Sequence, residues 1–222
     1  VGKALEQFGA KQFTIDDKEI FRQLKAVHST GGPVETAPTQ ADVTPFTEED
    51  INNAVHKAKG SSAAGPDMLS YRYMKQMVTF AGWTTSVCLF LNYLARGNVE
   101  TEYLDFIGCA RLVPIPKTPT RVRPIAVGNT LRRIYAMVTL NQNINDITRK
   151  IGIRQVGTNV SCGVEIMYHL YEEAVSRLQA DEVVFKVDFA NAFNNISRQV
   201  LYNTLTSRYI SLVNYFLVCY AH

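Results

Sequence analysis

An apolar run ending on one carboxylate constrains this chain more than any other stretch. Val183, Val184, Phe185 and Val187 lead into Asp188, and Phe189 and Phe193 follow. This density of β-branched and aromatic residues predicts a short buried strand over 182–188. A carboxylate where a buried strand meets a loop is costly unless something pairs it, and a divalent cation is a common partner. The plainer alternative is that Asp188 caps the helix predicted to start near Ser197.

Length and charge limit what surrounds that run. With 222 residues the chain is one large domain or two small ones, and it has ample length for a core. A 46% hydrophobic and 19% charged composition is that of an ordinary globular protein. No stretch offers the roughly 18 consecutive apolar residues of a membrane span. Cys88, Cys109, Cys162 and Cys219 are far apart without metal-type pairing, so they read as reduced thiols of an intracellular protein, nuclear or cytoplasmic. Val1-Gly2-Lys3-Ala4 is no secretory signal, and the missing start Met suggests a longer parent chain. The net charge of +3 hides a basic segment: Arg111, Lys117, Arg121, Arg123, Arg132, Arg133, Arg149 and Lys150 face a single acid, Asp146. Such a segment reads as a polyanion-binding patch or as a solvated helix face.

Along the chain, residues 1–45 read as an extension and linker. A short amphipathic helix is expected within 16–28, carrying Ile20, Phe21, Leu24 and Val27. Thr47 and Asp50 have capping-box spacing ahead of Ile51, Ala54, Val55 and Ala58. The small-residue loop 59–67 follows, with Gly60 and Gly65 permitting close backbone approach to a ligand or merely joining helices. Asp67 is placed to cap the next helix, and a further helix spans 83–95. Residues 107–115 and 123–127 read as a β-hairpin whose tip and return strand carry Lys117, Arg121 and Arg123. Bases there suit phosphate, Lys as a point charge and Arg as a fork, or else only keep the tip soluble. A long helix from Thr130 buries Leu131, Ile134 and Val138, while Arg132 and Arg133 oppose its dipole and so call for a partner elsewhere. After the glycine-bearing loop 152–163, Ile166, Leu170, Ala174 and Leu178 predict a helix with a core stripe. The last segment, 209–220, is apolar.

Four features in this order resemble the first half of a reverse transcriptase: Gly65-Pro66-Asp67, then Leu112-Val113-Pro114-Ile115-Pro116-Lys117, then Arg123-Pro124-Ile125-Ala126-Val127, then Asp188 with Phe193. The resemblance covers about 47–222 and is nearest the enzymes of non-LTR retrotransposons, with group II intron enzymes more distant. It implies an α+β fold, the fingers and partial palm of a right-hand polymerase. Residues 46–180 would be fingers, mostly helical with the hairpin, and 181–222 would begin the palm with one short strand and no thumb.

The resemblance also implies an RNA-directed DNA polymerase that copies an RNA template through an RNA–DNA hybrid by two-metal nucleotidyl transfer. Asp188 would be its first catalytic, metal-binding carboxylate, and Phe189 would offer a carbonyl to one of two Mg²⁺ ions. Lys117 and Arg123 would hold the dNTP triphosphate. Phe193 would stand against a 2′-hydroxyl as a steric gate, unless it simply packs in a core. Gly65, Pro66, Asp67, Arg121, Arg132, Arg133, Gln155 and Gly157 would lie along the nucleic acid. No membrane partner is implied.

The family's Tyr-x-Asp-Asp pair is absent, and no Asp or Glu occurs from Phe189 to His222. One carboxylate does not hold two metals, so this chain alone is expected to be inactive and to bind few or no ions. The alternative function is a non-catalytic nucleic-acid-binding module derived from a retroelement polymerase. An incomplete palm is also expected to expose Tyr215, Phe216 and Leu217, which makes a homodimer the expected consequence.

Overall fold

The computed structural model describes residues 14–28, 32, 34–36, 43–97, 99–152 and 155–221. They divide into two units, one drawn from 1–139 with 191–222 and the other from 140–190. The architecture is α+β: helices accompany one two-stranded antiparallel sheet.

Local sequence signals explain most helix starts in the first unit. Asp16 accepts the Glu19 N–H and opens α1, Asp17–Ala26. Thr47 and Asp50 form the reciprocal capping box of α2, Glu48–Lys57. Ser70, not Asp67, caps α3, Tyr71–Met77. Helix α4, Trp83–Ala95, has the bounds that its periodicity predicts. Helix α5, Thr101–Gly108, takes in Ile107, which is fully buried there rather than opening a strand.

The hairpin consists of β1, Ala110–Thr118, and β2, Arg121–Gly128. Its strands run through Pro114, Pro116 and Pro124, because in a two-stranded sheet every strand has a free edge. Pro114 stands directly opposite Pro124, so the two residues lacking N–H groups share one position in the ladder. The register slips between Pro116 and Thr118, which leaves Lys117 in a bulge next to the tip.

The core lies among α2, α4, α5 and α6, the last spanning Thr130–Ile151 and beginning in the first unit. Ile51, Leu91, Leu94, Ile107, Ile134 and Val138 are wholly buried in it. Each such side chain contributes roughly 1.5–3 kcal/mol of transfer free energy. Helix α9, Arg198–Arg208, and helix α10, Val213–Tyr220, build a satellite cluster of Tyr202, Val213 and Phe216. Asn214 docks α10 by donating to the Ala95 carbonyl at 2.8 Å. Gly97 (φ 76°) passes so close that an added Cβ would lie 2.9 Å from Asn214 Cγ, so only glycine fits this turn.

Three expectations are overturned. Tyr215, Phe216 and Leu217 are not an exposed face: Phe216 is buried, and the other two are half-buried against the core clusters. The stripe of Ile166, Leu170, Ala174 and Leu178 lies on helix α7, Gly163–Ser176, and its continuation, but it is exposed. Among the described residues of the second unit only Gly163 is buried, so this unit has no core to receive the stripe. Residues 182–189 form no strand. The only sheet among the described residues is β1–β2, and an apolar segment without a neighbouring strand cannot form a ladder. Phe185 is 84% exposed, so the premise of a buried strand fails along with the strand.

Candidate nucleic-acid interface

The small-residue loop is fastened to the start of α6 by the chain itself. Gly65 approaches the backbone so closely that a Cβ would lie 2.4 Å from the Gly128 carbonyl oxygen and 2.8 Å from Asn129 Cα. Asp67 reaches across 63 residues to accept the Thr130 N–H, the first residue of α6, at 2.5 Å, and also accepts the Leu69 N–H. It therefore caps α6 from a distance, where its charge suits the helix dipole. Buried Asn129 accepts the Asp67 N–H and donates to the Phe106 carbonyl, while Thr130 donates to the Leu69 carbonyl.

Three bases close the same arrangement. Arg111 donates to the Ala64 carbonyl at 2.9 Å, and Arg133 to the Ala63 carbonyl at 2.9 Å and to Thr130 Oγ1. Arg132 donates to the Gly108 carbonyl at 2.8 Å. The guanidinium of Arg132 lies 4.5 Å from the Tyr220 ring centre, and that of Arg133 lies 4.8 Å from that of Tyr71. The partners that two cations at a helix N-terminus require are thus carbonyls and aromatic faces of the same chain. Burial raises the Tyr71 hydroxyl, with Arg133 opposing the shift, and burial pushes the Cys219 thiol up to about 11. Cys219 therefore stays protonated at neutral pH. Cys88, Cys109, Cys162 and Cys219 are all free thiols.

The hairpin tip is different. Lys117, Arg121 and Arg123 are exposed, and none has a side-chain hydrogen bond or ion pair among the described residues. The tip is held through its backbone. Gln23 of α1 donates to the Thr120 carbonyl at 3.0 Å and accepts the Val122 N–H at 3.0 Å, so one side-chain amide stands in for a neighbouring strand. Thr14 adds its own N–H and hydroxyl to the Pro119 carbonyl. Lys117 and Arg121 line a groove between the tip and α1. Arg123 does not line it, and stands opposite Ile115 further along the ladder.

Phe193 belongs to the short helix α8, Ala192–Asn195, and is 96% exposed, so it packs in no core. Asn191 positions its turn. It adopts a left-handed backbone (φ 54°), donates to the Val27 carbonyl at the end of α1 at 3.0 Å, and accepts from Asn194. Helix α1 thus holds both the hairpin tip and the turn that carries Phe193.

Asp188, Phe189, Gln155 and Gly157 belong to the second unit. Gln155 accepts the Gly157 N–H at 2.9 Å within its own loop. Phe189 is 74% exposed. Asp188 is exposed as well, with no hydrogen bond or ion pair among the described residues, so no burial penalty calls for a metal there. Mg²⁺ takes near-octahedral oxygen ligation, often with one or two carboxylates, and a two-metal centre needs more. Among the described residues no group of three or more His, Cys, Asp or Glu could hold a metal ion.

No family model, curated protein or solved structure matches the chain. Among the described residues no helix is long and apolar enough to cross a membrane. Sequence reasoning missed Gln23, Asn129 and Asn191, whose side-chain amides bracket distant backbone. Their short-range surroundings carry no signal of this, because each backbone partner is at least 23 residues away.

Proposed function

We propose that this chain is part of an RNA-directed DNA polymerase, contributing template and nucleotide-phosphate contacts and a first metal-binding carboxylate. What carries the reading is the hairpin, where Lys117 and Arg121 flank a backbone-clamped tip and Arg123 follows on the return strand, all three without partners among the described residues. The resemblance to reverse transcriptases assigns Lys117 and Arg123 to the triphosphate and Arg121 to the nucleic acid. The exposed ring of Phe193 supports a role against a bound sugar, since it fills no interior space. Asp188 would act only with carboxylates supplied from outside this chain, and the chain alone is expected not to polymerise. Two Mg²⁺ ions, held there jointly, would supply Lewis-acid stabilisation of the transferring phosphoryl group. This chain's own residues bind and orient: Lys117 and Arg123 neutralise phosphate charge, and Phe193 excludes a 2′-hydroxyl.

Primer extension on an RNA template by the complete reading frame, with dNTPs and NTPs in parallel, tests this. DNA synthesis that is lost in Asp188→Ala is expected. Efficient use of NTPs would overturn the role of Phe193, synthesis undiminished in Asp188→Ala would overturn the role of Asp188, and no DNA synthesis on RNA would overturn the polymerase reading. A non-catalytic nucleic-acid-binding module is the second reading, favoured by the absence of a multi-carboxylate cluster among the described residues. It predicts RNA binding by the complete frame without any synthesis.

A further inference from the structure

The groove between α1 and the hairpin tip, about 470 Å³, is lined by Arg22 and Gln23 on one side and Lys117 and Arg121 on the other. We propose that it is a phosphate-binding subsite in which Arg22 of the N-terminal helix completes a grip formed with Lys117 and Arg121, while Gln23 sets the position of the tip. The inference rests on the nucleic-acid reading above and extends it to a helix that neither composition nor motif assigns to any function.

The geometry favours an oxyanion. Lys117 and Arg121 bring two charges without counter-ions among the described residues. Arg22 brings a third, and its guanidinium is already oriented. Glu19 accepts from its Nε at 2.6 Å and from its Nη2 at 2.7 Å. That fork engages two of the five guanidinium N–H groups and leaves Nη1 with both of its own. Glu19 also accepts from Gln23 at 2.9 Å, so one carboxylate sets the direction of both groove residues. Gln23 in turn fixes the tip through Thr120 and Val122. Glu19 is therefore a positioning residue whose negative charge partly offsets the groove. Its removal by an isosteric amide is the diagnostic change.

The ligand class is a phosphate group, either of an RNA strand or of a free triphosphate. The test uses the whole 222-residue chain and a fluorescein-labelled single-stranded RNA, read by anisotropy across a salt series. Arg22→Gln, at an exposed position that leaves the fold intact, is expected to weaken binding about threefold to tenfold and to lower the salt slope by about 0.7. Glu19→Gln keeps an acceptor but removes the charge, and is expected to tighten binding by about threefold. Gln23→Ala is expected to weaken binding and to speed amide exchange at Val122. Inorganic tripolyphosphate, titrated as competitor, separates the two sources: competition that disappears in Arg22→Gln assigns the subsite to a free triphosphate, and an Arg22→Gln effect confined to RNA assigns it to the strand. RNA binding by the wild type with Arg22→Gln and Glu19→Gln both unchanged would overturn the subsite and leave the nucleic-acid reading standing. No binding by the wild type of RNA at the lowest salt, together with no binding of tripolyphosphate by calorimetry, would overturn both.

Discussion

The basic segment divides into two regions that sequence alone treats as one. At the start of α6, Arg111, Arg132 and Arg133 donate to backbone carbonyls, and two of them cover aromatic rings. At the hairpin tip, Lys117, Arg121 and Arg123 have no such partners among the described residues. A run of positive charge is therefore not itself a binding surface. What distinguishes the regions is whether the donors of each cation are already committed to the chain's own acceptors. The donors of the first group are engaged within the chain, the proposed function assigns the second group to phosphate, and each assignment can be broken separately.

The largest expected effect is on the structural side. Gly65→Ala would drive a methyl into the Gly128 carbonyl, 2.4 Å from the ideal Cβ, and backbone cannot yield cheaply there. A loss of about 3 kcal/mol or more by urea denaturation is expected. A loss below about 0.5 kcal/mol would show that the loop is not held against Asn129. Asp67→Ala comes next, at about 1–2 kcal/mol, because it removes a helix cap and leaves the buried Thr130 N–H without its acceptor. Arg133→Ala should destabilise the chain by about 1–2 kcal/mol through its carbonyl and ring contacts. It should leave the salt dependence of RNA binding by the folded protein unchanged.

How much of this contrast could be read beforehand follows from the range of the signals. The Thr47–Asp50 box, the bounds of α4 and the hairpin were legible because their determinants lie within a few residues of one another. Asp67 was recognised as a cap, but for the wrong helix, since its true partner is 63 residues away. The charge of Arg132 and Arg133 at a helix N-terminus did signal a missing partner, though not that the partner was internal. The strand over 182–188 failed because β-propensity describes what fits a sheet and does not supply the neighbouring strand. The stripe on α7 failed in the same way: periodicity names a face, and burial needs something to cover it. The role of α1 was illegible, because Gln23 and Thr14 meet the tip only through contacts spanning roughly 100 residues.

The smallest effect concerns pH. The hydrogen bonds from Arg22 and then Gln23 hold the Glu19 carboxyl at about 2, below its ordinary value near 4.5. A depressed carboxylate favours the folded form above the unfolded value, and that contribution fades as pH falls from about 4.5 toward 2. Amide exchange at Val122 should quicken over that window in the wild type and be flat in Glu19→Gln. A wild-type rate independent of pH, after correction for intrinsic exchange, would separate Glu19 from the clamp.

The contrast between the two basic regions is tested most directly by the salt dependence of RNA binding in two multiple variants of this chain. With Lys117, Arg121 and Arg123 all changed to Gln, the account predicts that the slope of log affinity against log salt falls by about 2, at about 0.7 per phosphate contact, with the urea midpoint unchanged. With Arg132 and Arg133 both changed to Gln, it predicts a lowered midpoint and an unchanged slope in the fraction that remains folded. The opposite pattern, an unchanged slope in the first variant and a fall in the second, would contradict it.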